Sequence, residues 1–172
     1  MRLIPSLLLA SFLVACVSVP DVPNRSPSRE LEAFYDVDPG LRGFVSRAYG
    51  YALYPSVGKG GLGIGGAYGK GWVYEHGRFV GTSELVQVTY GLQIGGKSYS
   101  ELVVFEDERS FRHFKESKLQ LAAQVAAVAV RTGASVNASY RNGVAIFTAA
   151  ETGLMGEISV GGQQFSFKPA HQ

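Results

Sequence analysis

The chain has 172 residues, 46% of them apolar and 17% charged, a length and balance that fit one globular domain with its own core and exclude a disordered chain. Sixteen basic and 14 acidic side chains leave a formal charge of +2, too weak a field to steer a polyanion, so nucleic acid is not an expected partner. The 22 glycines follow no collagen-like period and are expected at specific backbone positions.

The chain opens MRLIPSLLLASFLVAC, with one positive charge, an apolar run from Leu7 to Ala15 and a small residue before Cys16. That is the pattern of a secretory signal, too short to span a bilayer as a helix. Leu13-Val14-Ala15-Cys16 resembles the bacterial lipobox, in which the cysteine sulfur is acylated and cleavage leaves it as the N-terminus. Residues 1–15 are therefore expected to be a lipoprotein signal peptide and Cys16, the one cysteine of the chain, the lipid attachment site; an ordinary secretory signal is the alternative. Acyl chains anchor through about 0.8 kcal/mol per buried methylene, so two or three suffice without a spanning helix. Val17 in place of an aspartate favours sorting to the outer membrane, facing the periplasm. Residues 16–27 contain three prolines and little periodicity, as a flexible tether would.

A short helix is expected next, capped by Ser26 or Ser28, with Leu31, Phe34 and Tyr35 on one face. Asp38 and Pro39 then start a second helix, in which Leu41, Phe44, Val45, Ala48 and Ala52 recur at the helical period as far as Tyr54. Strand alternation follows from Ala67 to Tyr74, a turn at residues 75–78, and further strands at residues 85–95 and 99–105 joined by a turn at Gly95-Gly96-Lys97-Ser98. Residues 107–118 read as a helix with Phe111 and Phe114 inward, whereas residues 119–131 satisfy helical and strand periods alike. Residues 144–149 and 157–160 read as strands, followed by a turn at Gly161-Gly162 and a last strand through Phe165 and Phe167. Together these elements give an α+β fold with a mainly antiparallel, twisted, barrel-like sheet, N-terminal helices and one further helix near 107–118.

The densest feature is GKGGLGIGGAYGKG at residues 58–71, with eight glycines. A phosphate-binding P-loop needs Ser or Thr after its lysine, but Lys59 and Lys70 are each followed by glycine. A dinucleotide loop needs a strand before it and a helix after it, the reverse of the order expected here, so no nucleotide is expected. The glycines read instead as backbone against which another element packs. His76, His113 and His171 are scattered and no nucleophile elbow is present, so neither a metal nor a catalytic residue is expected, and no cofactor.

Ala48-Tyr49-Gly50-Tyr51-Ala52-Leu53-Tyr54-Pro55-Ser56-Val57-Gly58-Lys59-Gly60-Gly61, then GIGGAYGKGWVY, GLQIGGKSYSELVVF and GLMGEISVGGQQF, resemble the SYLF domain, with blocks in order from Leu41 to Pro169. The resemblance implies a single domain over residues 28–169, β-rich with flanking helices, that binds anionic phospholipids without catalysis. Two basic surfaces are candidates for that contact. Arg109, Arg112, Lys115 and Lys118 recur every third residue on the third expected helix, and each basic side chain near an anionic bilayer contributes about 1 kcal/mol. Lys59 and Lys70 beside Trp72 form the other, with the aromatic at the interface and lysine on phosphate. The expected partners are membrane phospholipids; an envelope scaffold that docks another envelope protein, with lipid contact through the acyl anchor alone, is the alternative.

Overall fold

Two short helices begin the described part of the chain, which in this computed structural model comprises residues 26–117, 120–121, 128–129, 131 and 133–170. The expected signal peptide, Cys16, the tether up to residue 25 and Lys118 lie outside the described residues. Helix α1, Pro27–Val37, starts with a proline where an N–H would have no helical acceptor, and it buries Phe34 and Tyr35. Helix α2, Gly40–Ser46, buries Leu41, Phe44 and Val45. Asp38 sits between them, and its Oδ1 accepts from the Gly40 N–H at 3.1 Å, the capping role expected of it.

The second helix was expected to reach Tyr54, but it stops at Ser46 and the chain is already extended at Gly50. Ala48 and Ala52 fit the helical period, yet Gly50, Ala52 and Tyr54 also alternate with Tyr51 and Leu53. In the strand, Ala52 and Tyr54 join one core cluster and Leu53 another, so both faces are buried. Tertiary burial on two faces outweighs a period that only one face needs.

Three long strands carry the fold: β1 (Gly50–Glu75), β2 (Arg78–Phe105) and β5 (Val144–Pro169). β1 and β2 form an antiparallel hairpin around His76-Gly77, as expected, and β2 pairs with β5 from Gly81↔Pro169 to Phe105↔Val144. The expected turns at residues 95–98 and 161–162 are absent, because β2 and β5 run straight through them. Two-residue strands β3 (Gln120–Leu121) and β4 (Val128–Ala129) both pair with β5, the second in parallel, which places the described parts of the ambiguous 119–131 segment in the sheet.

The ribbon folds over at its middle. Gly63 has φ +73°, a left-handed conformation that glycine adopts without strain, and the ladder shifts between Leu62 and Ile64. Beyond that bend the second half of β1 returns along the first. A Cβ added at Gly71 would lie 2.6 Å from the Leu53 carbonyl oxygen and 2.7 Å from the Tyr54 ring, so the two backbones meet where side chains are missing. The surface that covers the glycine run is therefore the same strand's other half. The fold is α+β with a mainly antiparallel sheet, as expected; among the described residues no ladder joins the halves of β1, and the sheet is not closed into a barrel.

Inside the fold-over, Tyr54, Val57, Leu85, Val103, Phe105 and Phe165 form one cluster. Helix α3, Glu108–Lys115, covers it by inserting Phe111 and Phe114, whose rings lie 5.3 and 4.8 Å from that of Phe105. Asp107 caps α3 by accepting from the Ser110 N–H at 2.8 Å. On the outside, α1 and α2 cover Leu53, Leu102, Val104 and Phe147.

Candidate functional site

Alternation along β1 puts Ala67, Val73 and the bare positions Gly69 and Gly71 on the buried face, so Tyr68, Lys70, Trp72 and Tyr74 face outward. Near the bend this outward face has no covering element among the described residues. Leu62 is 76% exposed, Ile64 65% and Tyr90 62%, with Val86 and Val88 also exposed. Ile64 is directly opposite Tyr90 and Tyr68 opposite Val86, which makes these side chains one apolar patch.

Between the halves of the folded ribbon, at the same bend, lies a cleft of about 950 Å³. Glycines form much of its wall, and Lys59, Lys97, Gln87 and Ala67 also line it. Lys59 and Lys97 are directly opposite each other in the β1–β2 ladder, and by alternation both share the inward side of Val57 and Tyr99. Gln87 accepts a long hydrogen bond of 3.4 Å from the Tyr99 hydroxyl.

A second polar group lies buried in the fold-over. Glu101 is fully buried, and its Oε2 accepts from Gln163 Nε2 at 3.0 Å, while Glu101 Oε1 and Gln163 Oε1 have no partner. Burial pushes the Glu101 carboxyl up to about 7 even though the Gln163 hydrogen bond pulls the other way. Nearby, the buried Tyr54 and Ser83 hydroxyls share a 2.7 Å hydrogen bond. A protonated Glu101 would have a hydrogen to donate, whereas its carboxylate only accepts.

The expected site residues are spread over this framework. Lys59 lines the cleft, while Lys70 lies on the outward face opposite Glu84, so the bend separates the two lysines that look adjacent in sequence. Trp72 is not at an interface with solvent alone: it is partly buried against the cluster beneath α1 and α2. On α3, Arg109 and Arg112 are exposed, and Arg112 lies 3.7 Å from Glu108 one turn earlier. Lys115 is engaged with the sheet. Its Nζ donates to Glu75 Oε2 at 3.2 Å, and Glu75 Oε1 accepts from the Tyr49 hydroxyl at 3.0 Å.

Lys97, Gln87, Glu101 and the exposed Leu62, Ile64 and Tyr90 were not singled out from sequence. Lys97 carried a signal, since it follows Gly95-Gly96 much as Lys59 sits between Gly58 and Gly60. Among the described residues no cluster of potential metal ligands occurs, and no helix is long and apolar enough to cross a membrane.

The family model described as Ysc84, Las17-binding protein actin regulator, matches residues 86–170, which take in most of β2 and all of β5. Beta cell expansion factor A of Aeromonas veronii is 28% identical over 145 residues, 83% of this chain and 54% of the relative. The chain thus spans about half the length of that curated relative. Residues 86–170 thus match the Ysc84, or SYLF, family, the one that the sequence blocks resemble.

Proposed function

We propose that this protein is a lipid-anchored component of the bacterial cell envelope whose SYLF domain engages anionic phospholipid without catalysis. The observation that carries the reading is the uncovered face at the bend, where Leu62, Ile64 and Tyr90 lie beside lysine-bearing strands. Inserting such side chains into the acyl boundary removes apolar surface from water at roughly 25 cal/mol per Å². Lysines at the same end add attraction to acidic head groups. The opposite end is capped by α3, where Lys115 is tied to Glu75 and Arg112 lies near Glu108, so the bend is the better contact. Acylation at Cys16 would supply the permanent anchor on the periplasmic side of the outer membrane, and the domain the second contact.

A scaffold that docks another envelope protein on the same apolar face is the second reading. It is favoured by the family description, which names a protein partner for its members. Flotation with vesicles separates the two. The mature chain, residues 16–172 carrying Cys16→Ala, mixed with neutral and with anionic vesicles over a salt series, is expected to float with the anionic ones at low salt. Leu62→Ser with Ile64→Ser should abolish that, and Arg109→Glu with Arg112→Glu should weaken it far less. No flotation with anionic vesicles at low salt would sink the phospholipid reading and leave the scaffold.

A further inference from the structure

Thr148 and Gln163 would lie about 50 Å apart along a straight β5, at about 3.3 Å per residue. Glu101 is directly opposite Thr148 in the β2–β5 ladder, yet its Oε2 accepts from Gln163 Nε2 at 3.0 Å. That bond therefore joins the two halves of the ribbon across the fold-over. The Tyr54–Ser83 hydroxyl pair at 2.7 Å does the same farther from the bend, and Tyr99 to Gln87 at 3.4 Å does so on the wall of the cleft. The bond that contains a carboxyl is also the one left incomplete. Glu101 Oε1 and Gln163 Oε1 are both buried acceptors with no partner among the described residues.

We propose that Glu101 and Gln163 form a proton-dependent clasp across the fold-over: closed as an acid–amide ring it holds the halves of the ribbon together, and loss of the proton lets them part and widens the cleft. With the proton on Oε1, the acid donates to Gln163 Oε1 while Gln163 Nε2 donates to Oε2, so one added hydrogen satisfies both unpartnered oxygens. When that proton leaves to water, a carboxylate and an amide oxygen that can only accept remain in the cluster of Val103, Phe105, Phe111, Phe114 and Phe165. A charge buried there is relieved by admitting water, and the space between the halves already opens at the cleft. Burial holds the Glu101 carboxyl up at about 7, so the ring is the form below neutral pH and the carboxylate the form above it. The titratable group facing it from β1 is Tyr54, directly opposite in the ladder, whose hydroxyl burial pushes well above the ordinary 10 and keeps neutral. Helix α3 faces the cluster with Phe111 and Phe114, while its Lys115 is turned to Glu75. β2 and β3 place Gln87 and Leu121 opposite Gln163, and Lys59 and Lys97 line the cleft nearer the bend.

The test uses the mature chain carrying Cys16→Ala, which has no other cysteine, with nitroxide labels at Val88→Cys and Gly96→Cys. Both positions are exposed and lie on opposite halves of the ribbon at the cleft, and a Cβ at Gly96 meets the Lys59 carbonyl oxygen at an ordinary 3.6 Å. Between pH 5.5 and pH 8.5 the mean distance between labels, read by pulsed electron paramagnetic resonance, is expected to lengthen by about 5 Å, one strand spacing, with its midpoint near pH 7. Glu101→Gln closes the same ring with an amide that has no proton to lose, and should keep the low-pH distance throughout. Glu101→Met has neither ring nor charge, and its distance should be equally indifferent to pH. Infrared spectra of the parent should show a protonated-carboxyl band that fades with the same midpoint and is missing from both variants. A constant distance in the parent, or an equal lengthening in folded Glu101→Gln, would overturn the proposal. So would a lengthening whose midpoint departs from that of the infrared band.

Discussion

Replacing Glu101 by glutamine should make the protein more stable above neutral pH and flatten its stability across pH 5 to 8. The carboxyl is fully buried, it accepts a hydrogen bond from Gln163, and it titrates at about 7 rather than at the ordinary 4.5. A carboxyl whose folded pKa is raised contributes its full stability below the unfolded value of about 4.5 and loses it as pH rises through about 7. At about 1.4 kcal/mol per pH unit, the parent should lose roughly 2–3 kcal/mol between pH 5 and pH 8, most of the total of about 3 kcal/mol that full ionisation costs. Glu101→Gln keeps the size of the side chain, removes the charge and adds an NH₂ donor beside the unpartnered Gln163 Oε1. Urea unfolding at pH 5, 6, 7 and 8 reads the effect as a fall in midpoint at constant slope for the parent and a level series for the variant. Equal pH dependence in both proteins would refute the assignment of that slope to Glu101.

Asp38 works in the opposite range. Burial alone would raise its carboxyl, but hydrogen bonds from Ser135, Gly40 and Gly133 outweigh that and hold it below the ordinary 3.8, so its contribution is present above that value and lost on acidification. Asp38→Ala strands the Ser135 N–H, which donates to Oδ2 at 2.6 Å, and should cost roughly 3 kcal/mol in a urea melt at pH 7. Gly71→Ala forces a methyl against the Leu53 carbonyl and the Tyr54 ring and should cost about 1–3 kcal/mol, read as a lower thermal midpoint. Asp107→Ala removes the cap of α3 and should cost about 1 kcal/mol by the same assay.

What the sequence made legible follows from how local each signal is. The turn at His76-Gly77 and the cap at Asp107 are set within four residues, and both stand where expected. The helix that should have run to Tyr54 failed because Ala52 satisfies two periods, and only the sheet that buries both faces decides between them. Gly95-Gly96 and Gly161-Gly162 looked like turns because glycine pairs permit them, but each is an interior stretch of a strand spanning more than 25 residues. The site was less legible still. Lys59 and Lys70 are close in sequence and separated by a bend, whereas Lys59 and Lys97 are distant and directly opposed. A register across a 26-residue strand is a property of the whole ribbon, and no short window contains it.

The glycine run therefore has two jobs that conflict unless the strand folds over. Gly71 lets one half of β1 lie on the other, where a side chain would meet backbone, and that contact consumes one face of the strand near its ends. At the bend the same scarcity of side chains leaves the inner face hollow, as the cleft, and, among the described residues, the outer face bare of any cover except its own Leu62 and Ile64. An isolated sheet would gain by making those two positions polar, since exposed apolar side chains at a sheet surface favour association with whatever covers them. Their presence beside a lysine-lined hollow is economical only for a surface that is covered in use. On the reading proposed above a membrane is that cover, with hydrocarbon against Leu62 and Ile64.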